Sequence, residues 1–240
     1  MEILYQLFIK KTIQANQKIK KYITCHLSEE DYKDNHSTGE GGDNTKQIDI
    51  IAENIFVSFL GTFSDIFSEE SGLIKSNKSL FKNALILLDP LDGSDNFLSN
   101  FPYYGTSVSL RINTIPTIGI VYNLINDKYI FRTPNTTNFL RNDFLHSNFG
   151  IFERAYTRPD IVERLHTFQL KFRSPGASAL SLANAVNFSF FLLAGKIRDF
   201  DVDAGLFICK DLYIFQNKDF LLVSKNTIIF ENVKEIIKDY

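Results

Sequence analysis

The stretch Ala84-Leu85-Ile86-Leu87-Leu88-Asp89-Pro90-Leu91-Asp92-Gly93-Ser94-Asp95-Asn96 decides how this 240-residue chain reads. Its first five residues form an unbroken apolar run, as in a strand covered on both faces, and the run stops abruptly at Asp89-Pro90. Two aspartates therefore stand at the C-terminal end of a buried strand.

Hard divalent cations such as magnesium take oxygen ligands, keep some of their waters and complete their shells with phosphate oxygens. Proline fixes the backbone between Asp89 and Leu91, so both aspartates and the Leu91 carbonyl can converge on neighbouring cations. Gly93 lets the backbone approach a phosphate closely. A short helix beginning just after it would aim the Gly93 and Ser94 amides at that phosphate, with the positive end of the helix dipole behind them. Taken singly, each residue of the segment is also turn-prone, and a surface turn explains the composition equally well. A calcium loop of the EF-hand type does not: the segment is entered from a strand, lacks the Asp-x-Asp-x-Asp-Gly order and has no glutamate at the twelfth position.

Upstream, Ile3, Leu4, Leu7, Phe8, Ile13, Ile19 and Ile23 recur at helical spacing and predict an amphipathic helix over about the first 27 residues. Residues 28–46 are polar and glycine-rich and read as a mobile loop. A second helix is expected from about Thr45 through Phe59, with Ile48, Ile51, Ile55 and Phe59 on one face and Asp49 near its start. Downstream, Tyr104–Ile112, Ile118–Leu124 and Tyr129–Phe131 are separated by Asn113, Asn126 and Asp127, the pattern of an antiparallel meander. The second half alternates: strand over 150–156, helix over 159–168, strand over 170–173, helix over 177–185, strand over 188–193, a helix after Asp201 and a strand over 220–223. Such alternation predicts an α/β arrangement with a covered sheet. We divide the chain into an N-terminal α+β lobe, residues 1–133, and a C-terminal α/β lobe, residues 134–240, forming one compact catalytic unit.

A 44% hydrophobic content suffices for a large core. The formal charge of −2 supplies no excess of Lys and Arg for a phosphate backbone, so neither nucleic acid nor membrane is an expected partner. The longest apolar run, Phe188 to Ala194 around Ser189, is far shorter than the roughly 20 residues of a membrane span. The N-terminus places Glu2 where a signal peptide carries a base. Cys25 and Cys209 are far apart and have no metal-ligand spacing, which points to a reduced, cytoplasmic protein. His26, His36, His146 and His166 form no pair with metal spacing, and the 23 phenylalanines show no alternation with basic residues. Two further acidic elements accompany the motif. Glu69-Glu70 alone reads as a solvated pair, and Asp201 reads equally as the N-cap of the helix carrying Leu206, Phe207 and Ile208.

Together these elements resemble the signature of the inositol monophosphatase and fructose-1,6-bisphosphatase superfamily. Leu88 to Phe97 is similar to its central motif, and Ser68-Glu69-Glu70-Ser71 to its paired-glutamate element. Phe200-Asp201-Val202-Asp203-Ala204-Gly205 resembles its C-terminal Trp-Asp-x-Ala-Ala-Gly element, and Asp43 to Asp49 resembles the region supplying its helix-borne aspartate. The resemblance implies a layered α/β/α/β/α sandwich of the sugar phosphatase type, a usual homodimer and, commonly, lithium sensitivity. It further implies a magnesium-dependent phosphate-monoester hydrolase acting on a small phosphate ester, an inositol monophosphate or a sugar phosphate. The alternatives are fructose 1,6-bisphosphate, 3'-phosphoadenosine 5'-phosphate, or a metal-binding regulatory protein without turnover.

Residue by residue, it implies that Glu69, Asp89, the Leu91 carbonyl, Asp92 and Asp201 hold two or three Mg2+ ions, with Glu70 assisting. Ser94, hydrogen-bonded to Asp49, would activate the attacking water with Glu69, and the Gly93 and Ser94 amides would hold the phosphate. Three departures bear on specificity. Asp95 replaces a small neutral residue, Asp203 replaces an alanine, and the chain runs from Leu193-Ala194-Gly195-Lys196 to Asp201 without the segment that carries a substrate-contacting glutamate in inositol monophosphatases. Lys196 and Arg198 are candidates for a second phosphate, and Gly176 and Ala177 for the pocket wall.

Overall fold

The computed structural model describes residues 1–40, 44–139 and 149–240. The elements follow in chain order: α1 (Glu2–Cys25), β1 (Asp34–Thr38), β2 (Asn44–Lys46), α2 (Gln47–Leu60), β3 (Asp65–Ser68), β4 (Gly72–Ile74), β5 (Ala84–Asp92), α3 (Ser94–Leu98), β6 (Gly105–Ile112), β7 (Ile115–Asn123) and β8 (Lys128–Arg132). The second half continues with β9 (Gly150–Glu153), α4 (Pro159–Thr167), β10 (Phe172–Arg173), α5 (Ser178–Ala183), β11 (Phe191–Ala194), α6 (Asp199–Ile208), β12 (Tyr213–Gln216), β13 (Phe220–Ser224) and α7 (Thr227–Ile237).

Two mixed sheets organise these elements. One has the order β4-β3-β5-β6-β7-β8, the other β10-β9-β11-β13-β12. Strand periodicity sorts their side chains into three cores, because successive residues face opposite sides of a sheet. Val108, Leu110, Ile118, Ile120 and Tyr122 meet Phe8, Ile19, Ile48 and Phe56 of α1 and α2. Val121 of the same sheet joins Phe191, Leu193, Leu221 and Val223 of the second sheet around Leu180, Leu182, Val202 and Ala204 of α5 and α6. The alternate residues Phe190, Leu192, Phe220 and Leu222 pack with Ile161 and Leu165 of α4 and Val233 and Ile236 of α7. The result is the α/β/α/β/α sandwich, with α5 and α6 as its middle layer.

Where α6 crosses β7 it lies close: a Cβ added at Gly119 would come 2.6 Å from the Ala204 carbonyl oxygen and 3.1 Å from its Cα. Asp203, which occupies an unusual position for a carboxylate, locks the same helix to β6. It accepts from Ser109 Oγ and from Arg111 Nη2 at 2.6 Å and Nε at 3.1 Å, and Arg111 also pairs with Asp199 at 3.0 Å. Asp203→Ala leaves that arginine facing a vacated, buried position, and we expect a loss of roughly 3 kcal/mol, read as a lowered urea midpoint at constant slope.

Several expectations are corrected. The polar stretch before α2 is ordered over its described part: a 3₁₀ turn over Glu29–Tyr32 leads into the antiparallel β1–β2 pair, Asp34 opposite Lys46 and Thr38 opposite Asn44. Side-chain capping compensates for the missing apolar surface, since buried Asp31 accepts from Ser28 N, Ser28 Oγ and Tyr22 Oη. Residues 41–43, including Asp43 of the motif region, lie outside the described residues, as does His146. The strand expected to end at Leu88 runs on to Asp92, and Asp201 lies inside the first turn of α6, whose N-cap is Arg198. The strand expected over 188–193 begins at Phe191, after a 3₁₀ turn over Ala185–Asn187, and that over 150–156 stops at Glu153.

Candidate active site

The geometry of β5 explains how two aspartates three residues apart come to serve one cavity. In a regular strand they would face opposite sides of the sheet. Here Asp89 pairs with Ser107 and Asp92 with Gly105, so β5 carries one extra residue between them. Pro90, which has no amide hydrogen to give a ladder, sits within this irregularity. The bulge turns both carboxylates to the same opening, while Leu91 keeps its side chain in the first core.

That opening is a cavity of ≈ 650 Å3, lined among others by Asp49, Glu69, Glu70, Asp89, Leu91, Asp92, Gly93, Ser94, Asp95, Gly176, Lys196, Arg198 and Asp201. Carboxylate oxygens of Glu69, Asp89 and Asp201 lie within 4.8 Å of one another. Each arrives from a different element. Glu69 follows β3, its amide donating to Leu88 O at 3.0 Å, and the turn it begins is held by Glu53 of α2, which accepts from Ser71 Oγ at 2.6 Å and Ser71 N at 3.1 Å. Asp89 is tied to its own turn through the Leu91 amide at 3.0 Å. Asp92 accepts the Leu180 amide at 2.8 Å from the start of α5.

The electrostatics follow from burying so many acids together. Burial, then the neighbouring Glu69, Asp92 and Asp201 carboxylates, push the Asp89 carboxyl well above the usual range, and Arg198 opposes them only in part. Asp92 is pushed up to about 7 by burial, with Asp201 and Glu153 adding to it against the Leu180 hydrogen bond. Asp49 also rises to about 7, chiefly through burial and then through Glu70. Carboxylates outnumber the cationic groups that line the cavity, and this set of hard oxygen donors fits a small divalent cation.

The expected helix after Gly93 is present as α3, and Gly93, at φ 86°, is its N-cap. A Cβ there would meet Ala177 Cβ at 3.0 Å and Tyr103 O at 3.1 Å, so glycine is required by both backbone angle and space. Asp95 is exposed in the first turn of α3, where its charge adds slightly to the rise at Asp49.

Three placements differ from expectation. Asp49 does not bond to Ser94: its Oδ2 accepts the Lys46 amide at 2.9 Å, as the third residue of α2 capping its own helix, and its buried Oδ1 has no hydrogen-bond partner. Arg198 turns inward to Glu69 and Asp201, where a cluster of buried carboxylates outcompetes the rim. Ala177 is buried behind Gly93 and leaves the wall to Ser174, Gly176 and Ser178. Lys196 lies exposed at the rim. Sequence reasoning missed Glu153, Arg154 and the part played by Asn96. Asn96 Nδ2 donates at 2.7 Å to both Tyr103 O and Pro175 O, and Glu153 accepts from Gly176 N at 2.9 Å and Ser181 Oγ at 2.6 Å, so the two fix the turn before α5. No local pattern marks Glu153-Arg154, which only the meeting of β9, α5 and α6 makes significant.

A phosphatase fold with a bulged aspartate strand, a glycine-capped helix and a carboxylate from a middle helix defines a class, and comparison with known proteins places the chain in it. The profile of the inositol monophosphatase family matches residues 4–212, and the chain belongs to that family. It is accordingly a phosphate-monoester hydrolase. A fructose-1,6-bisphosphatase/inositol-1-monophosphatase of Methanocaldococcus jannaschii is 26% identical over 92% of this chain and 93% of its own. A bifunctional NADP phosphatase/NAD kinase of the same organism is 34% identical over 44% of this chain and 18% of its own. Among solved structures, the Thermotoga maritima IMPase superposes with a TM-score of 0.75 at 20% identity, covering 100% of this chain and 99% of that one, which supports the fold. No helix among the described residues is long and apolar enough to cross a membrane.

Proposed function

We propose that the chain is a magnesium-dependent hydrolase of a small phosphorylated metabolite, an inositol monophosphate or a sugar phosphate, with its reaction centre at the Glu69–Asp89–Asp201 cluster. The observation that carries this reading is the convergence of these three oxygens within 4.8 Å beside the Gly93–Ser94 helix start. Glu69, Asp89, the Leu91 carbonyl, Asp92 and Asp201 would hold two or three Mg2+ ions, with Glu70 at their edge. When bound, the ions supply acidification of the attacking water and neutralisation of the leaving oxygen.

The chain supplies the rest. The Gly93 and Ser94 amides orient the phosphate at the positive end of α3. Asp49 Oδ1, buried and without a partner, is the acceptor available to the Ser94 hydroxyl, and a carboxyl near 7 is poised to take a proton at neutral pH. Gly176 forms the wall opposite, and Lys196 at the rim can meet a second anionic group. In this reading residues 1–133 and 134–240 act as two lobes of one unit, each built around one of the two sheets, and the protein works in the cytoplasm as a homodimer.

The test is phosphate release from inositol 1-phosphate, fructose 1,6-bisphosphate, 3'-phosphoadenosine 5'-phosphate and NADP, with and without Mg2+. We expect Mg2+-dependent release from inositol 1-phosphate or fructose 1,6-bisphosphate. Magnesium binding with every ester intact would instead mark a binding protein that has lost turnover.

A further inference from the structure

Two guanidinium groups enter the acidic floor of the cavity. Arg198 Nε donates to Asp201 Oδ2 at 3.0 Å, its Nη2 to Asp201 Oδ1 at 3.1 Å, and its Nη1 lies 2.7 Å from Glu69 Oε1. Arg154 Nη2 reaches Asp201 Oδ2 at 3.1 Å and anchors itself through Nη1 to the Lys196 carbonyl at 2.6 Å. Both oxygens of Asp201 and one of Glu69 are thus engaged by arginine. These are two of the three carboxylates that converge within 4.8 Å.

We infer that Arg198 is the built-in counter-ion of this cluster and sets its affinity for divalent cations by competing with them for Glu69 and Asp201. The inference rests on the metal reading above. A guanidinium keeps its charge at every pH the fold survives, so it opposes an incoming cation permanently. Its side chain is only 15% exposed, and little water screens it.

The opposite effect of such a group is to orient the carboxylates for the metal, and its removal would then weaken binding about 10- to 100-fold. Here the carboxylates have other supports. Asp201 lies in the first turn of α6 and keeps the bond from Arg154, and the backbone of Glu69 is fixed by the Leu88 carbonyl and, through Ser71, by Glu53. Removing Arg198 therefore removes repulsion without releasing the ligands, and repulsion between charges a few ångströms apart in a partly buried site dominates.

The experiment is calorimetric titration of Mg2+ into metal-stripped protein, wild type against Arg198→Gln and Arg198→Lys, paired with thermal melts. Arg198→Gln should bind Mg2+ at least about tenfold tighter, melt lower without metal and gain more on adding it. Arg198→Lys, which keeps the charge, should stay within about threefold of wild type. Equal or weaker binding by Arg198→Gln, with wild type binding normally, overturns the inference and leaves the metal reading standing. Failure of both proteins to bind overturns the two together. Should Arg198→Gln not fold, the Arg198 Nε–H resonance of the wild type, assigned by its loss in Arg198→Lys, decides: it must shift as Mg2+ is added, and an unmoved resonance overturns the competition.

Discussion

Asp92→Asn is expected to cut Mg2+-dependent phosphate release at least about 1,000-fold while leaving the protein folded. The substitution keeps an amide oxygen to accept the Leu180 amide, now at 2.8 Å from Asp92 Oδ2, so the anchor between β5 and α5 survives. What disappears is a negative charge buried beside Asp201 and Glu153, whose repulsion pushes the Asp92 carboxyl upward. The metal-free variant should therefore melt at or above the wild-type temperature. Inactive yet equally stable protein is a signature that a merely structural residue would not give, and activity retained in the variant would contradict the assignment of Asp92 to the cation site.

The metal-free protein should be markedly less stable at pH 8 than at pH 5. Asp49 and Asp92 sit at about 7 in the fold and near 3.8 when unperturbed, and Asp89 is raised as well. Between those limits the folded state holds more protons than the unfolded chain, so stability falls as pH rises through the window. Asp65 and Asp160, which are lowered, lose their contributions only below the window and do not offset the trend. A fall in Tm of about 5 °C or more between pH 5 and pH 8 is expected for the stripped protein. Mg2+ should reverse most of it at pH 8. A flat or rising Tm across this range in the absence of metal would count against the buried-carboxylate account.

Much of this site was legible in the chain because its chemistry is local. Asp89, Leu91, Asp92, Gly93 and Ser94 occupy consecutive positions whose backbone behaviour follows from one proline and one glycine, and the apolar run before them names the strand. The amphipathic α1 and α2 and the β6–β8 meander were equally readable from periodicity. The short strands β3, β4 and β12 were not, since three or four residues carry too little pattern to separate strand from loop. Helix α7 was overlooked although Phe230, Val233, Ile236 and Ile237 recur at helical spacing and Asn226 caps it by accepting the Ile229 amide. The wider setting of the site was hidden for a different reason. Glu153 and Arg154 act only because β9 delivers them to α5 and α6, and the inward turn of Arg198 answers a charge imbalance that exists only once four distant segments have met. Asp203, puzzling as a substitution for alanine, is a lock on Arg111 with no part in the cavity.

The contact between α6 and β7 carries a last implication. With hydrogen in place of a side chain at residue 119, the helix rests backbone against backbone, and Ala204 reaches its stop only three residues after Asp201. A side chain in that seam would act as a spring; bare backbone acts as a hard shoulder. The jaw between Asp201 on the helix and Asp89 on the sheet is thus a caliper locked at one setting. It can suit an ion by swinging its carboxylates, but not by moving its arms. Magnesium, with oxygens at about 2.0–2.1 Å, and calcium, at about 2.3–2.6 Å, differ by an amount such a jaw can register. Selection of the ion by size would then reside in the missing side chain at Gly119, where β7 meets the helix.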